Sequence, residues 1–184
     1  VALGGTVIGT GEGAPAAYRA AVIPILARLT GRPLRARPRF TDAAQNADDL
    51  GAVSSALSQL AVALQKVAQD FRLLSSGPGT GFGELRLPHV MEGSSFFAGK
   101  SNPVVPECLL HACFQVQGLD HAAQLALGRA ELQLHGFEAV AAVAILDSMG
   151  LLERTVTRFD RSCVRGLEAD EARCRAHAAK AHPR

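Results

Sequence analysis

Between Leu50 and Leu74 an apolar residue returns every three or four positions: Leu50, Val53, Leu57, Leu60, Leu64, Val67, Phe71 and Leu74. Residues at that spacing fall on one stripe of an α-helix, and a stripe sustained over several heptads is the seam of a helical bundle. Thr41 or Asp42 can cap the start and Gly77-Pro78 ends the run, so a single helix over 42–76 is expected. At 1.5 Å rise per residue it would be roughly 50 Å long. Such a helix outreaches the neighbours that one small domain provides. The expected fold is therefore all-α, an elongated up-and-down bundle of long helices that forms part of a larger bundle shared with partner subunits.

The rest of the chain agrees with that class. Ala14–Thr30 has a helical pattern, with Gly31 as its stop and Pro33 just beyond. After Pro103 the sequence predicts helix over Val104–Gln117, a break at Gly118-Leu119-Asp120, and helix again over Ala122–Leu134. A further helix over 137–165 carries Val140, Val143, Leu146, Met149, Leu152, Val156 and Phe159 at helical spacing. Gly166 terminates it, and Glu168, Asp170 and Glu171 favour the start of a last helix reaching about Lys180. With 48% hydrophobic residues, no Trp and one Tyr, the composition suits packed helices better than sheets. The whole of 1–184 is read as one helical domain, and 184 residues can bury a sizeable core.

Charge and cysteine usage exclude several functions. A net charge of +2 with 20% charged residues does not imply a nucleic-acid partner. Arg28, Arg32, Arg35, Arg37 and Arg39 cluster around two prolines, but no aromatic residues interleave for base stacking, so a solvated linker is the better reading. No apolar run is long enough for a membrane span and no charged-then-apolar leader opens the chain, so a cytoplasmic protein without a membrane partner is expected. The chain opens at Val1 inside a glycine-rich turn, which reads as a piece of a longer protein. Cys108, Cys113, Cys163 and Cys174 lack CxxC spacing, which argues against a disulfide framework. Cys108 and Cys113 would lie about 140° apart on a helix, so one metal beside His111 cannot easily take both. No metal site is expected. The other histidines give none either: His89 and His121 are isolated, and His177 and His182 lie in a polar tail.

Residues 1–13 hold Gly4, Gly5, Gly9, Gly11 and Gly13, yet no Lys-Ser/Thr follows and no strand pattern precedes, so a phosphate loop is not supported. The connection over 77–103 is more informative. Gly77, Pro78, Gly79, Gly81, Gly83 and Pro88 keep it irregular, and it ends in Gly93-Ser-Ser-Phe-Phe-Ala-Gly-Lys-Ser-Asn-Pro103. A loop this long inside a compact domain is functional or disordered. This one carries a pair of hydroxyls, a cation and an amide, an inventory suited to gripping a small carboxylate and moving a proton.

Gly93–Pro103 resembles the GSSxMPxKxNP signature of the aspartase/fumarase superfamily, and Asn102-Pro-Val-Val-Pro-Glu107 is more similar to its aspartate ammonia-lyase branch than to fumarase. Further matches follow in family order: Leu3-Gly-Gly-Thr6 with Gly9-Thr-Gly11, Asp70 to Pro78, and Glu131-Leu-Gln-Leu134. The resemblance covers nearly the whole chain. The departures are Phe97-Ala98 in place of Met-Pro, Ser101 where valine is common, and His135 where asparagine is usual. The two loop departures bear on substrate identity rather than fold. His135 is read as structural or as a subunit contact.

The resemblance implies a carbon–nitrogen lyase that takes L-aspartate or a substituted aspartate to fumarate and an amine by anti elimination, without an organic cofactor. It makes Ser94 the base and Lys100 the partner of the substrate β-carboxylate. Asn102 would contact the substrate near its amino group, and Ser95 would donate to a carboxylate oxygen. Thr6 and Thr10 would be hydroxyl donors close to the site. Glu107 stands where the family places a glutamate that orients a histidine, and that histidine would lie upstream of Val1. The site would thus be incomplete on this chain and built from three subunits of a homotetramer. Fumarate hydratase is the alternative enzyme. A non-catalytic fragment acting only in oligomerisation is the alternative of another class.

Overall fold

The computed structural model describes residues 1–181; His182 lies outside the described residues. Six helices make up most of it: α1 (Ala16–Thr30), α2 (Phe40–Ala43), α3 (Asp48–Leu74), α4 (Val104–Leu127), α5 (Glu138–Ser162) and α6 (Glu171–Ala181). A two-residue strand β1 (Leu85–Arg86) pairs antiparallel with β2 (Glu168–Ala169), Leu85 opposite Ala169 and Arg86 opposite Glu168. The all-α expectation holds.

The chain divides into two compact units, one formed by Val1–Ser55 with Asp120–Ile145, the other by Ala56–Leu119 with the chain from Leu146 onward. In the first unit, polar side chains tie the start of α3 to the end of α4. The Ser54 hydroxyl donates to Asp120 at 2.7 Å, and Gln124 Nε2 reaches the Gly51 carbonyl at 3.2 Å and Ser55 Oγ at 3.0 Å. In the second unit Leu109, Cys113 and Val116 of α4 pack against Ala61 and Ala68 of α3 and Leu152, Phe159 and Cys163. Leu57, Leu64 and Phe71 close over this cluster, and the Phe71 and Phe159 rings meet at a 5.4 Å centroid distance, tilted by 40°. Burial pushes the Cys113 and Cys163 thiols up.

Four sequence expectations are corrected. α3 starts at Asp48 rather than near 42, because Phe40–Ala43 forms its own short helix. The Asn46 amide bonds Asp42 Oδ1 at 2.9 Å and closes the turn, and Asp48 and Asp49 then occupy the favoured acidic first turn. The helix is accordingly about 40 Å long. Second, α4 runs unbroken through Gly118. A helical glycine costs only about 1 kcal/mol, and the Gln117–Gln65 bond at 2.8 Å and the Ser54–Asp120 bond hold α4 on either side of it.

Third, no helix spans Ala122–Leu134: α4 stops at Leu127 and a tight turn bridges Glu131 to Leu134. Buried His135 explains the stop. Its backbone N–H donates to the Ala44 carbonyl at 2.7 Å. Its Nδ1 accepts from the Phe137 N–H at 3.2 Å, which leaves Nε2–H to donate to the Leu127 carbonyl at 3.1 Å. His135 is structural within this unit. Last, the apolar seam of α3 divides. Leu57, Leu64 and Phe71 turn inward beside Ala61 and Ala68, whereas Val53, Leu60 and Val67 stay exposed. On α5, Val140, Val143, Leu146 and Met149 are likewise exposed while Ala141, Ala144, Ser148 and Leu152 are buried. Small residues thus take several of the buried positions, and part of each bulky row stays on the surface.

Leu109, 1% exposed, has its side chain wholly within the second unit's cluster. Leu109→Ala is expected to cost about 2–5 kcal/mol of unfolding free energy in denaturant titration.

Candidate active site

The second unit brings the chemistry-bearing loop together through a short set of bonds. The Gly93 N–H donates to the Lys100 carbonyl at 2.7 Å, and Asn102 Nδ2 donates to the Gly93 carbonyl at 3.2 Å. The Lys100 N–H closes the tip on the Phe97 carbonyl at 3.2 Å, where Gly99 takes a φ of 76°. The pinch needs glycine at its base: a Cβ on Gly93 would stand 2.8 Å from the Lys100 carbonyl oxygen. Pro103 then leads into α4, whose first turn holds Glu107.

Ser94 follows the pinch directly. Its Oγ accepts the Phe96 N–H at 3.1 Å and the Phe97 N–H at 3.3 Å. Two donors aimed at one hydroxyl oxygen favour its deprotonated form. Ser95 and Lys100 are exposed on the same loop, as are the Phe96 and Phe97 side chains.

Lys100 and Asn102 also line a cleft of about 740 Å³. Its other walls come from the end of α3 and the segment after it (Arg72, Gly77, Pro78) and from Asp170 and Arg173 at the start of α6. Most of its cations are already engaged. Arg72 Nε donates to Glu107 Oε1 at 3.1 Å, Arg86 Nη2 to Asp170 Oδ2 at 2.7 Å, and Arg173 to backbone carbonyls. Lys100 is thus the cation of the loop itself. Glu107 meets Arg72 here. Thr6 belongs to the first unit, with a φ of 57° and its hydroxyl bonded to the Gly5 carbonyl at 2.6 Å. The glycines beside it are set by packing, since a Cβ on Gly9 would stand 2.2 Å from the Thr41 nitrogen.

Sequence reasoning assigned no role to Arg72, Arg86 or Arg173. Arg72 lies in the Asp70–Pro78 match, which was the available signal; the partners of the other two are more than eighty positions away. Asp170 was read only as an acidic residue near a helix start. It caps α6: its Oδ1 accepts the Arg173 N–H at 3.0 Å. That backbone bond first, and the Arg86 guanidinium second, hold its carboxyl below the usual carboxylate range.

The family described as Lyase matches residues 1–118. An aspartate ammonia-lyase of Pseudomonas fluorescens is 42% identical over 95% of this chain, which covers 37% of that protein. A class II fumarate hydratase of Pseudomonas aeruginosa is 40% identical over 94% of this chain, again 37% of the relative. Among solved structures, a fumarate lyase:delta crystallin of Brucella melitensis superposes with a TM-score of 0.90 at 44% identity, over 96% of this chain and 38% of that one. The chain thus spans little more than a third of the length of the relatives it matches.

The lowered position of Asp170 has a definite sign. The folded state favours the carboxylate, so its contribution is present above the ordinary carboxylate range and is lost as pH falls through the depressed value. Asp170→Asn should therefore lower the melting temperature at pH 7. The gap to the parent should close in thermal scans taken below about pH 4.

Proposed function

We propose that this chain, which belongs to the lyase family matched above and with it to the aspartase/fumarase superfamily, carries the proton-abstracting loop of an enzyme that eliminates ammonia, or an amine, from L-aspartate or a substituted aspartate to give fumarate. The observation that carries the reading is the convergence of two backbone N–H groups on Ser94 Oγ, in a loop whose pinch sets Lys100 and Asn102 beside one cleft.

A serine is a weak base until its alkoxide is stabilised. The Phe96 and Phe97 N–H groups supply that stabilisation from fixed positions, and closure of the loop would add to it by excluding water. Ser94 Oγ takes a proton from C3 of the substrate, and the electron pair moves into the adjoining carboxylate to form a doubly charged aci-carboxylate. The Lys100 ammonium neutralises the added charge, which grows from ground state to intermediate and so favours the step. The pair then returns to form the C2–C3 double bond as the amine leaves C2. Ser95 donates to a carboxylate oxygen and Asn102 holds the substrate near its amino group. Glu107, fixed by Arg72, supports the site from the start of α4. No organic cofactor enters these steps.

The exposed rows on α3 (Val53, Leu60, Val67) and α5 (Val140, Val143, Leu146, Met149) support assembly as a homotetramer, in which other subunits complete the site. No helix among the described residues is long and apolar enough to cross a membrane. A cytoplasmic location belongs to the same proposal. Hydration of fumarate is the second reading, favoured by the fumarate hydratase relative; the Val104-Val-Pro-Glu107 continuation favours the ammonia-lyase.

The test offers L-aspartate and L-malate separately to the complete protein containing this segment. Turnover of aspartate is expected, with kcat reduced at least about a thousandfold by Ser94→Ala and KM little changed. Turnover of malate alone would establish the hydratase reading instead.

A further inference from the structure

The connection after α3 folds into a small loop closed on Ser76. The Gly83 N–H donates to the Ser76 carbonyl at 2.7 Å and the Phe82 N–H to Ser76 Oγ at 3.2 Å. A Cβ on Gly81 would stand 2.3 Å from the Ser76 carbonyl carbon, so the loop is drawn tight. Three of its carbonyls converge on one side chain from α6. Arg173 Nε donates to the Phe82 carbonyl at 2.9 Å, and Nη2 donates to those of Pro78 at 3.0 Å and Gly81 at 3.1 Å. Arg72 and Arg86 each pair with a carboxylate, whereas Arg173 spends its guanidinium on backbone oxygens. The planar fork suits that task, because its donors leave in fixed, divergent directions that a lysine ammonium does not reproduce.

We propose that Arg173 is a positioning residue of the active-site cleft: it locks the 78–82 loop, whose Pro78 end lines the cleft together with Lys100 and Asn102. Pro78 at the start of that loop, Gly83 just past its end and Arg173 line the same cleft as those two residues, and no carboxylate is needed to hold them there. Other bonds dock α6 without Arg173's side chain. His177 Nδ1 meets Glu84 Oε1 at 2.6 Å, the Asp170 N–H donates to the Glu84 carbonyl at 2.8 Å, and β1 pairs with β2. Loss of the guanidinium therefore frees the 78–82 loop while α6 stays in place. A loop that wanders costs alignment of the substrate against Ser94, which enters kcat more than KM. This kinetic arm rests on the lyase reading above; the structural arm does not.

The experiment compares Arg173→Ala and Arg173→Lys with the parent in the complete protein. Amide hydrogen exchange over 78–83 should quicken about tenfold or more in both variants while exchange in α6 is unchanged. kcat for the substrate found above should fall about tenfold in both with KM within about twofold, and added guanidinium ion should restore kcat and slow exchange in Arg173→Ala alone. Unchanged exchange over 78–83 in both variants overturns the clamp. Quickened exchange with parental kcat overturns its role in positioning. If the parent turns over neither aspartate nor malate, the lyase reading fails, and exchange with its guanidinium reversal still decides the clamp.

Discussion

The hydrogen bond from the Gly93 N–H to the Lys100 carbonyl, with Asn102 bonded back to the Gly93 carbonyl, turns a run of loop residues into a site. A hydroxyl, an ammonium and an amide separated along an open chain have no common direction. Joined at the neck, they share one small loop, and Ser94 is left where the next backbone N–H groups reach its oxygen. The bond is possible because Gly93 has no side chain: the Lys100 oxygen occupies the space a Cβ would need. The geometry is local, so it can sit on a loop and still be definite.

What surrounds the loop is rigid for ordinary reasons. α4 leaves from Pro103 and is held in the second unit by Leu109, Cys113 and Val116, packed against the alanine line of α3. Arg72 ties the end of α3 to Glu107 at the start of α4, and Asp170 ties α6 to Arg86. Each ion pair is partly exposed and contributes little alone. Their effect is to fix where helix ends stand around one cleft. Function on a loop carried by a stiff helical frame is a common division of labour.

Much of this was legible in the sequence, and the reasons differ by element. The all-α class followed from the three-four stepping of Leu57, Leu60, Leu64, Val67 and Phe71, because helical period is a local property. The residues of the loop were legible as an inventory, and the family was legible in their order. Which row of α3 faces the core was not. Ala61 and Ala68 carry little hydrophobic signal, yet they are fully buried, while Leu60 and Val67 stay exposed. The end of α4 at Leu127 depends on His135 bonding back to that residue's carbonyl, which propensity does not encode. Arg173 was invisible for the same reason: its partners are backbone carbonyls more than ninety residues away.

The most direct measurement follows addition to fumarate in D2O by proton NMR, with ammonium present and with the complete protein as parent and as Gly93→Ala. The account predicts aspartate carrying a single deuterium at C3 in one diastereomeric position from the parent. It predicts a rate at least about a hundredfold lower from a folded Gly93→Ala protein, whose added methyl breaks the pinch. Formation of malate alone, or an unchanged rate in Gly93→Ala, would contradict it.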